Sequence, residues 1–130
     1  MRRRRQPKLG DLELQILNVL WARGPSTVRD VLDALPGQPR PAYTTILTML
    51  RLMHEKGYLD RDERGKAHLY SARLRETNVK RGLLRGLLDS AFGGSAEALL
   101  VRLLEDQRVS PEELARVRRL IDEREREAKR

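Results

Sequence analysis

The sequence contains no cysteine, and this absence excludes several kinds of site. Disulfide frameworks, thiolate nucleophiles and cysteine-bound zinc or iron–sulfur centres all need the missing side chain. Aromatic residues make up only 4% of the 130 residues, whereas charged residues make up 35%. We therefore expect a core built mainly from Leu, Val, Ile and Ala, a composition that favours helices over sheets.

Long apolar stretches are also missing. No run approaches the ~20 residues that a membrane span needs, so we expect no membrane insertion. Four arginines, Arg2–Arg5, stand near the start, but they lead into Gln6 and Pro7 rather than into the apolar segment of a secretory signal. We interpret residues 1–8 as a basic flexible arm and predict a soluble, cytoplasmic protein.

The sequence patterns of common enzymes are missing as well. The two histidines, His54 and His68, do not fall in a metal-binding spacing such as HxxxH. Dinucleotide-binding, phosphate-loop and serine-hydrolase motifs do not occur either. We predict that the protein is not an enzyme and has no catalytic residue, no metal and no cofactor.

Positive charge is abundant, and it is confined to one part of the sequence. The formal net charge is +8; residues 1–82 contain 17 Lys and Arg against 9 Asp and Glu, while residues 83–130 contain 10 of each. A basic excess on one side is typical of a region that meets a polyanion, and it predicts nucleic-acid binding by the N-terminal two-thirds. The alternative is a basic surface that serves only solubility.

Apolar periodicity and stop signals predict three helices in the N-terminal half. The first begins near Leu9 and ends at Gly24-Pro25, and Ser26 or Thr27 caps a short second helix. The third runs from about Ala42 to Lys56, with Gly57 as its C-terminal cap. Its predicted buried stripe consists of Tyr43, Ile46, Leu47, Leu50 and Met53.

A hairpin and three more helices are predicted to follow. We expect short strands at 58–59 and 67–70, joined by a polar turn over 61–66, and then a helix over 76–91. Ser95 and Ser110-Pro111 are typical starts of two further helices, and the charged end from Asp122 to Arg130 is expected to fray. The predicted fold is mostly α with a small β-hairpin wing. A winged helix-turn-helix DNA-binding domain spans 9–74, and a three-helix dimerisation domain spans 75–130.

The outer face of the third helix is the candidate DNA-reading surface. If the stripe above is buried, Thr44, Thr45, Thr48, Arg51 and Glu55 point outward. Threonine can hydrogen-bond a base or the backbone and can touch a thymine methyl, and the helix N-terminus favours phosphate. An exposed face chosen only for helix stability would more often carry Glu, Lys or Ala.

Basic residues on either side of this helix are expected to support DNA binding. Arg40 precedes the helix, and the hairpin tip offers Arg61, Arg64, Lys66 and His68, which can reach phosphate or the minor groove. An ordinary solvated turn is the alternative for the tip, because Asp60, Asp62 and Glu63 stand beside these residues. The Arg2–Arg5 arm is expected to add affinity that is independent of sequence and sensitive to salt.

The C-terminal helices contain more leucine than three short helices can cover. A homodimer is the simplest way to bury part of this surface, and packing against the N-terminal domain is the alternative. The predicted dimer interface consists of Leu83, Leu84, Leu87, Leu88, Leu99, Leu100, Leu103, Leu104 and Leu120.

Several segments resemble the penicillinase-repressor (BlaI/MecI) family. These are Leu9–Glu13 with Val19–Trp21, Thr27–Val31, Ala42–Ile46, Lys56–Leu59 and Ala67–Tyr70. The resemblance is specific over residues 9–72 and only architectural from 76 to 121. It implies a homodimeric transcriptional repressor that binds dyad operators in double-stranded DNA, with recognition residues at Tyr43, Thr44, Thr45 and Thr48.

The resemblance also implies a partner, a membrane sensor metalloprotease that cleaves the dimerisation domain. Where the best-known members carry an Asn-Phe scissile pair, this chain has Arg102-Leu103. The copper-responsive branch of the family carries a C-terminal cysteine cluster, so this cysteine-free chain departs from that branch. The alternative function is a winged-helix module for protein interaction that does not bind specific DNA.

Overall fold

Helices form most of the chain in the computed structural model, which describes residues 8–106 and 108–130. Helices α1 (Asp11–Arg23), α2 (Val28–Ala34) and α3 (Tyr43–Glu55) precede an antiparallel hairpin of strands β1 (Leu59–Asp62) and β2 (Leu69–Ala72). Helices α4 (Glu76–Ala91), α5 (Ala96–Glu105) and α6 (Pro111–Ala128) follow. The predicted fold class and element order are confirmed. The predicted basic arm, apart from Lys8, lies outside the described residues.

Three helices, α2, α5 and α6, begin at hydroxyl caps that the sequence predicts. Thr27, rather than Ser26, caps α2 and accepts a hydrogen bond from Asp30 N at 3.1 Å. Ser95 accepts from Ala98 N at 3.0 Å, and Ser110 accepts from Glu113 N at 3.1 Å. Each cap satisfies a backbone donor that the first turn of a helix leaves without a partner.

The end of α3 sets the direction in which the chain enters the hairpin. Gly57 has φ +84°, a left-handed conformation that side-chain-bearing residues rarely adopt. The next amide, Tyr58 N, donates to Met53 O at 2.9 Å, which closes the last turn of α3. The predicted role of Gly57 as a C-terminal cap is confirmed.

The hairpin starts later and ends later than the sequence pattern indicates. Arg61 and Asp62 belong to β1, where they pair with Tyr70 and Leu69, instead of lying in the turn. The second strand begins at Leu69, so Ala67 and His68 lie in the turn. The register is set by burial of Leu59 and Tyr70, which the alternation around a polar turn did not reveal.

The chain divides into two compact units, Met1–Gly82 and Leu83–Arg130. The described part of the first unit has one apolar core, to which α1, α2, α3 and both strands contribute. Ser26 joins the connection between α1 and α2 to the hairpin, because its amide and carbonyl exchange hydrogen bonds with Tyr70 at 2.9 and 2.8 Å. The fully buried members of the core include Ile16, Leu17, Val31, Ile46, Leu50, Met53 and Leu59.

The start of α4 belongs to the first unit. Trp21 Nε1 donates to Leu74 O at 2.9 Å, Lys80 Nζ lies 5.6 Å from the Trp21 ring centroid, and Val79 is buried. The division between the units therefore falls within α4, eight residues after the predicted boundary at 74. The predicted domain limits, 9–74 and 75–130, stay a prediction.

Helix α6 continues to Ala128, so the expectation that residues 122–130 fray is wrong. Acidic and basic residues alternate along this segment at spacings that place opposite charges on the same face, as in the Arg124–Glu127 pair at 3.6 Å. Such pairs support an exposed helix. None of the helices in the described ranges has the length and apolar character needed to cross a membrane.

Candidate nucleic-acid interface

Helix α3 has one buried face and one exposed face. Ile46, Leu50 and Met53 are fully buried and anchor the helix to the core. The residues predicted to point outward, Thr44, Thr45, Thr48, Arg51 and Glu55, are all exposed. Three of the five are threonines, so a nucleic acid can approach this face closely and still find hydroxyl groups to bond.

A shallow depression lies in the middle of this face. It is lined by the three threonines together with Met49, which the sequence analysis did not single out. A half-buried thioether beside hydroxyl groups offers apolar contact next to hydrogen-bonding groups, a combination that suits the edge of a thymine.

Tyr43 is not part of the buried stripe, and that expectation is wrong. Its side chain is 42% exposed, because it is the first residue of α3 and lies beyond the turns that pack on the core. The Arg29 guanidinium of α2 lies over the Tyr43 ring, with its carbon 5.1 Å from the ring centroid. This is a cation–π contact between two exposed side chains.

Two further predicted arginines lie at the surface near α3. Arg51 is exposed on the helix itself, and Arg40 is exposed just before it. The nearest carboxylate oxygen to Arg40 belongs to Asp33, at 3.9 Å, and both side chains are well exposed. An exposed pair at this distance holds its partners weakly, so Arg40 is available to another anion.

The arginines of the wing, by contrast, are neutralised by neighbouring carboxylates. Arg61 pairs with Glu63, and Arg73 pairs with Asp60. Arg64 donates from Nε and Nη2 to the Asp62 carboxylate at 3.0 and 2.8 Å, and its backbone amide donates to the same carboxylate at 3.0 Å. The structure does not present Arg61 and Arg64 as the free basic tip that the sequence suggests.

Hydrogen bonding explains the charge state of this tip. The Arg64 side chain, followed by the Arg64 amide, lowers the pKa of Asp62 to about 2. A hydrogen bond to Tyr70, followed by the contact with Glu63, raises the pKa of Arg61. Asp62 and Arg61 are therefore both ionised throughout the neutral range.

Lys66 and His68 differ from these arginines. Both are exposed, and neither forms an ion pair with any residue in the described ranges. They line a cleft between α2, α3 and the wing, together with Arg29 and Tyr43. Arg29 was not predicted as a site residue, because its position in α2 carries no signal that α2 and the wing approach one another.

A separate set of exposed residues lies in the second unit. Among its described residues no side chain is buried, although α4, α5 and α6 are rich in leucine. Of the predicted interface, Leu88 and Leu99 are half-buried and the others are exposed: Leu83, Leu84, Leu87, Leu100, Leu103, Leu104 and Leu120. Val101, Leu114 and Ile121 are also exposed and were not predicted.

The described residues include no group of three or more His, Asp or Glu side chains that could hold a metal ion.

Three helices followed by a hairpin, with a polar exposed face on the third helix, define a winged helix-turn-helix protein. Comparison with known proteins gives the family. The penicillinase repressor family model matches residues 9–123, so it covers most of the chain. The chain belongs to the penicillinase-repressor family, and its class is that of DNA-binding transcriptional repressors.

Individual relatives agree with this assignment. The transcriptional regulator BlaI of Mycobacterium tuberculosis (strain H37Rv) is 35% identical over 120 residues, which is 91% of this chain and 86% of the relative. The penicillinase repressor of Bacillus licheniformis is 23% identical over 90% of this chain and 91% of its own length. The methicillin resistance regulatory protein MecI of Staphylococcus aureus (strain N315) is 18% identical over 90% of this chain and 95% of its own length.

Proposed function

We propose that this protein represses transcription by binding a dyad operator as a homodimer, with α3 of each copy in the major groove. The exposed threonine face of α3 is the observation that carries this proposal. Thr44, Thr45 and Thr48 would contact base edges, and Tyr43, Arg40 and Arg51 would contact base edges or the flanking backbone. The excess of basic residues in the same unit supplies the attraction to DNA.

The second unit supports the dimer. Its described residues contain no buried side chain, so its leucines have no core of their own to fill. Its 10 basic and 10 acidic residues balance, and two copies would not repel one another through net charge. A second copy of the same chain covers such an apolar surface and places two recognition helices in two-fold symmetry, as a dyad operator requires.

The proposed ligand is chromosomal DNA, and we therefore place the protein in the cytoplasm. The membrane sensor protease stays a prediction from the resemblance to the family. At the position of the expected scissile pair, Arg102 lies within α5 and pairs with Glu105 at 3.7 Å, so a protease would need to open this helix to cleave it.

Fluorescence anisotropy tests the DNA-reading role of α3. The labelled duplex carries the region upstream of the protein's own gene, and a scrambled duplex of the same composition competes at two salt concentrations. We expect a preference for the upstream duplex that survives the higher salt. Thr45→Phe should remove that preference while the protein remains dimeric, whereas Asn18→Phe, an exposed position on α1, should not.

Operator binding that Thr45→Phe leaves intact would contradict the assignment of α3 as the reading helix. No preference for the upstream duplex, together with no effect of Thr45→Phe, would favour the module for protein interaction. Other upstream regions of the genome should be offered before that conclusion is drawn, because a repressor need not control its own gene.

Sedimentation velocity tests the dimer. Leu84→Arg places a charge within the exposed leucines of α4 and should shift the protein toward monomer and weaken operator binding. Asn78→Arg adds the same charge to an exposed position of the same helix and serves as the matched control. A Leu84→Arg protein that sediments as an unchanged dimer would show that this face does not form the interface.

A further inference from the structure

The cleft between α2, α3 and the wing has a volume of about 380 Å³ and combines an apolar floor with a basic rim. Leu47 and Tyr70 contribute to its floor, and Tyr70 is buried. Arg29, Lys66 and His68 contribute to the rim, and all three are exposed. They come from two separate parts of the sequence, α2 and the hairpin turn, so only the fold brings them together.

We propose that this cleft holds one backbone phosphate of the bound DNA, with Arg29, Lys66 and His68 as its ligands. The inference rests on the proposed function and adds to it a specific point of attachment beside the first turn of α3. It also assigns the DNA contact of the wing to Lys66 and His68 rather than to Arg64.

The distribution of ion pairs supports this assignment. Arg61, Arg64 and Arg73 of the hairpin region each have a carboxylate partner. Within the described ranges, neither Arg29 nor Lys66 has one. A phosphate that approaches the wing would therefore meet unpaired positive charge only toward the cleft, because the tip carries its own counter-charges.

The chemistry of the three side chains suits a phosphate. An arginine fork can donate two parallel hydrogen bonds to phosphate oxygens, a lysine supplies a mobile point charge, and a histidine donates from a ring nitrogen. The contact of Arg29 with the Tyr43 ring restricts the guanidinium, so less conformational freedom is lost when it binds.

The position of the cleft fits the geometry of a duplex on α3. Tyr43 and Leu47 line the cleft, while Thr44 and Thr48 line the depression on the exposed face of the same helix. A duplex whose major groove receives that face has a phosphate backbone at the edge of the groove. The cleft lies beside the first turns of α3, next to the start of α2 and the hairpin turn, and it would hold that backbone in register with the threonines.

The test compares charge-removing variants of the full-length protein by anisotropy. Arg29→Gln and Lys66→Gln should each weaken binding to the operator and to a scrambled duplex by about three- to tenfold, because phosphate contacts carry no base information. His68→Gln should cause a smaller loss in the same direction. Arg64→Gln removes the same charge from the same wing and should stay within about twofold of the wild type, because Arg64 is already paired.

Methylphosphonate substitution then tests whether the three residues share one phosphate. Each backbone position of one operator half-site is replaced in turn by the uncharged group. At one position the substituted operator should bind the wild-type protein more weakly than the unmodified operator does. Arg29→Gln and Lys66→Gln should bind that substituted operator almost as well as they bind the unmodified one. The absence of any such position would overturn the inference of a single shared phosphate.

Two other results would overturn the proposal and leave the proposed function standing. In the first, the duplex affinities of Arg29→Gln and Lys66→Gln would stay as close to wild type as that of Arg64→Gln, while Thr45→Phe would still abolish operator preference. Alternatively, inorganic phosphate at millimolar concentration could shift the NMR signals of Arg29 and His68 while neither variant changes duplex affinity, which would indicate a site for the free anion. Failure of the proposed function differs from both, because the wild-type protein would then show no operator preference.

Discussion

The ion pair between Asp62 and Arg64 allows one substitution, Asp62→Asn, to change what the wing contributes to DNA affinity. Asp62→Asn removes the carboxylate charge, and its side-chain oxygen can still accept the hydrogen bond from the Arg64 amide, now 3.0 Å long. The turn and the pairing of residue 62 with Leu69 are therefore expected to survive. The Arg64 side chain loses its charged partner and becomes free to reach a phosphate.

The size of the gain follows from counterion release. One added phosphate contact steepens the dependence of log affinity on log salt by about 0.9, which corresponds to about eightfold tighter binding at 0.1 M salt and about fourfold at 0.2 M. A phosphate contact does not distinguish sequences. Operator and scrambled duplexes should therefore gain equally, and the preference between them should stay constant.

Anisotropy titrations at four salt concentrations measure both the affinity and the slope. Asp122→Asn, an exposed position on α6, makes the same change in net charge and serves as the control. An unchanged slope for Asp62→Asn would refute the reasoning, because Arg64 would then fail to reach DNA even when released. An equal gain for Asp122→Asn would trace the effect to net charge alone.

Three other expectations concern stability. The pKa of Asp62 in the folded protein is about 2, below its ordinary value of 3.8, so its stabilising effect is present above pH 3.8 and is lost as the pH falls through 2. NMR titration of the Asp62 carboxyl should give a midpoint near 2. A midpoint near the ordinary value would contradict the pairing with Arg64. Leu50→Ala should lower the free energy of unfolding by about 2–5 kcal/mol, measured by urea denaturation with circular dichroism. Leu52→Ala, at a half-exposed site of the same helix, should lower it by under about 1 kcal/mol. Equal losses would count against the assignment of Leu50 to the buried face of α3. Glu13→Ala removes the acceptor for Gly10 N at 3.0 Å and for Lys56 Nζ at 3.4 Å, and it should lower the free energy of unfolding by about 1 kcal/mol. Glu13→Gln should lose less, because its side-chain oxygen can still accept from Gly10 N. Identical urea midpoints for the two variants would contradict this account.

The local signals in the sequence predicted most of the fold. Capping hydroxyls at Ser95 and Ser110 and the glycine at 57 act within a few residues of their own position, so they can be recognised without knowledge of the rest of the chain. The apolar spacing of α3 likewise predicted that Ile46, Leu50 and Met53 are buried. The exposed positions of Thr44, Thr45 and Thr48 followed directly from that spacing.

Features that depend on contacts between distant segments were missed or misplaced. Tyr43 continues the apolar spacing of α3, but at the first turn of the helix it stays exposed, with the Arg29 guanidinium over its ring. The strand register depends on Tyr70 pairing with both Arg61 and Ser26, which no local pattern encodes. The cleft lined by Arg29 and His68 also depends on a contact between distant segments, since α2 and the hairpin are far apart in the sequence.

The single tryptophan occupies a position that makes it a natural optical probe. The Trp21 indole bonds the carbonyl of Leu74, two residues before α4 begins, and lies under the ammonium group of Lys80. Its emission maximum should shift to the red when this contact opens, even if the helical signal in circular dichroism is unchanged. One chain without any added dye can therefore distinguish release of α4 from unfolding of the whole first unit.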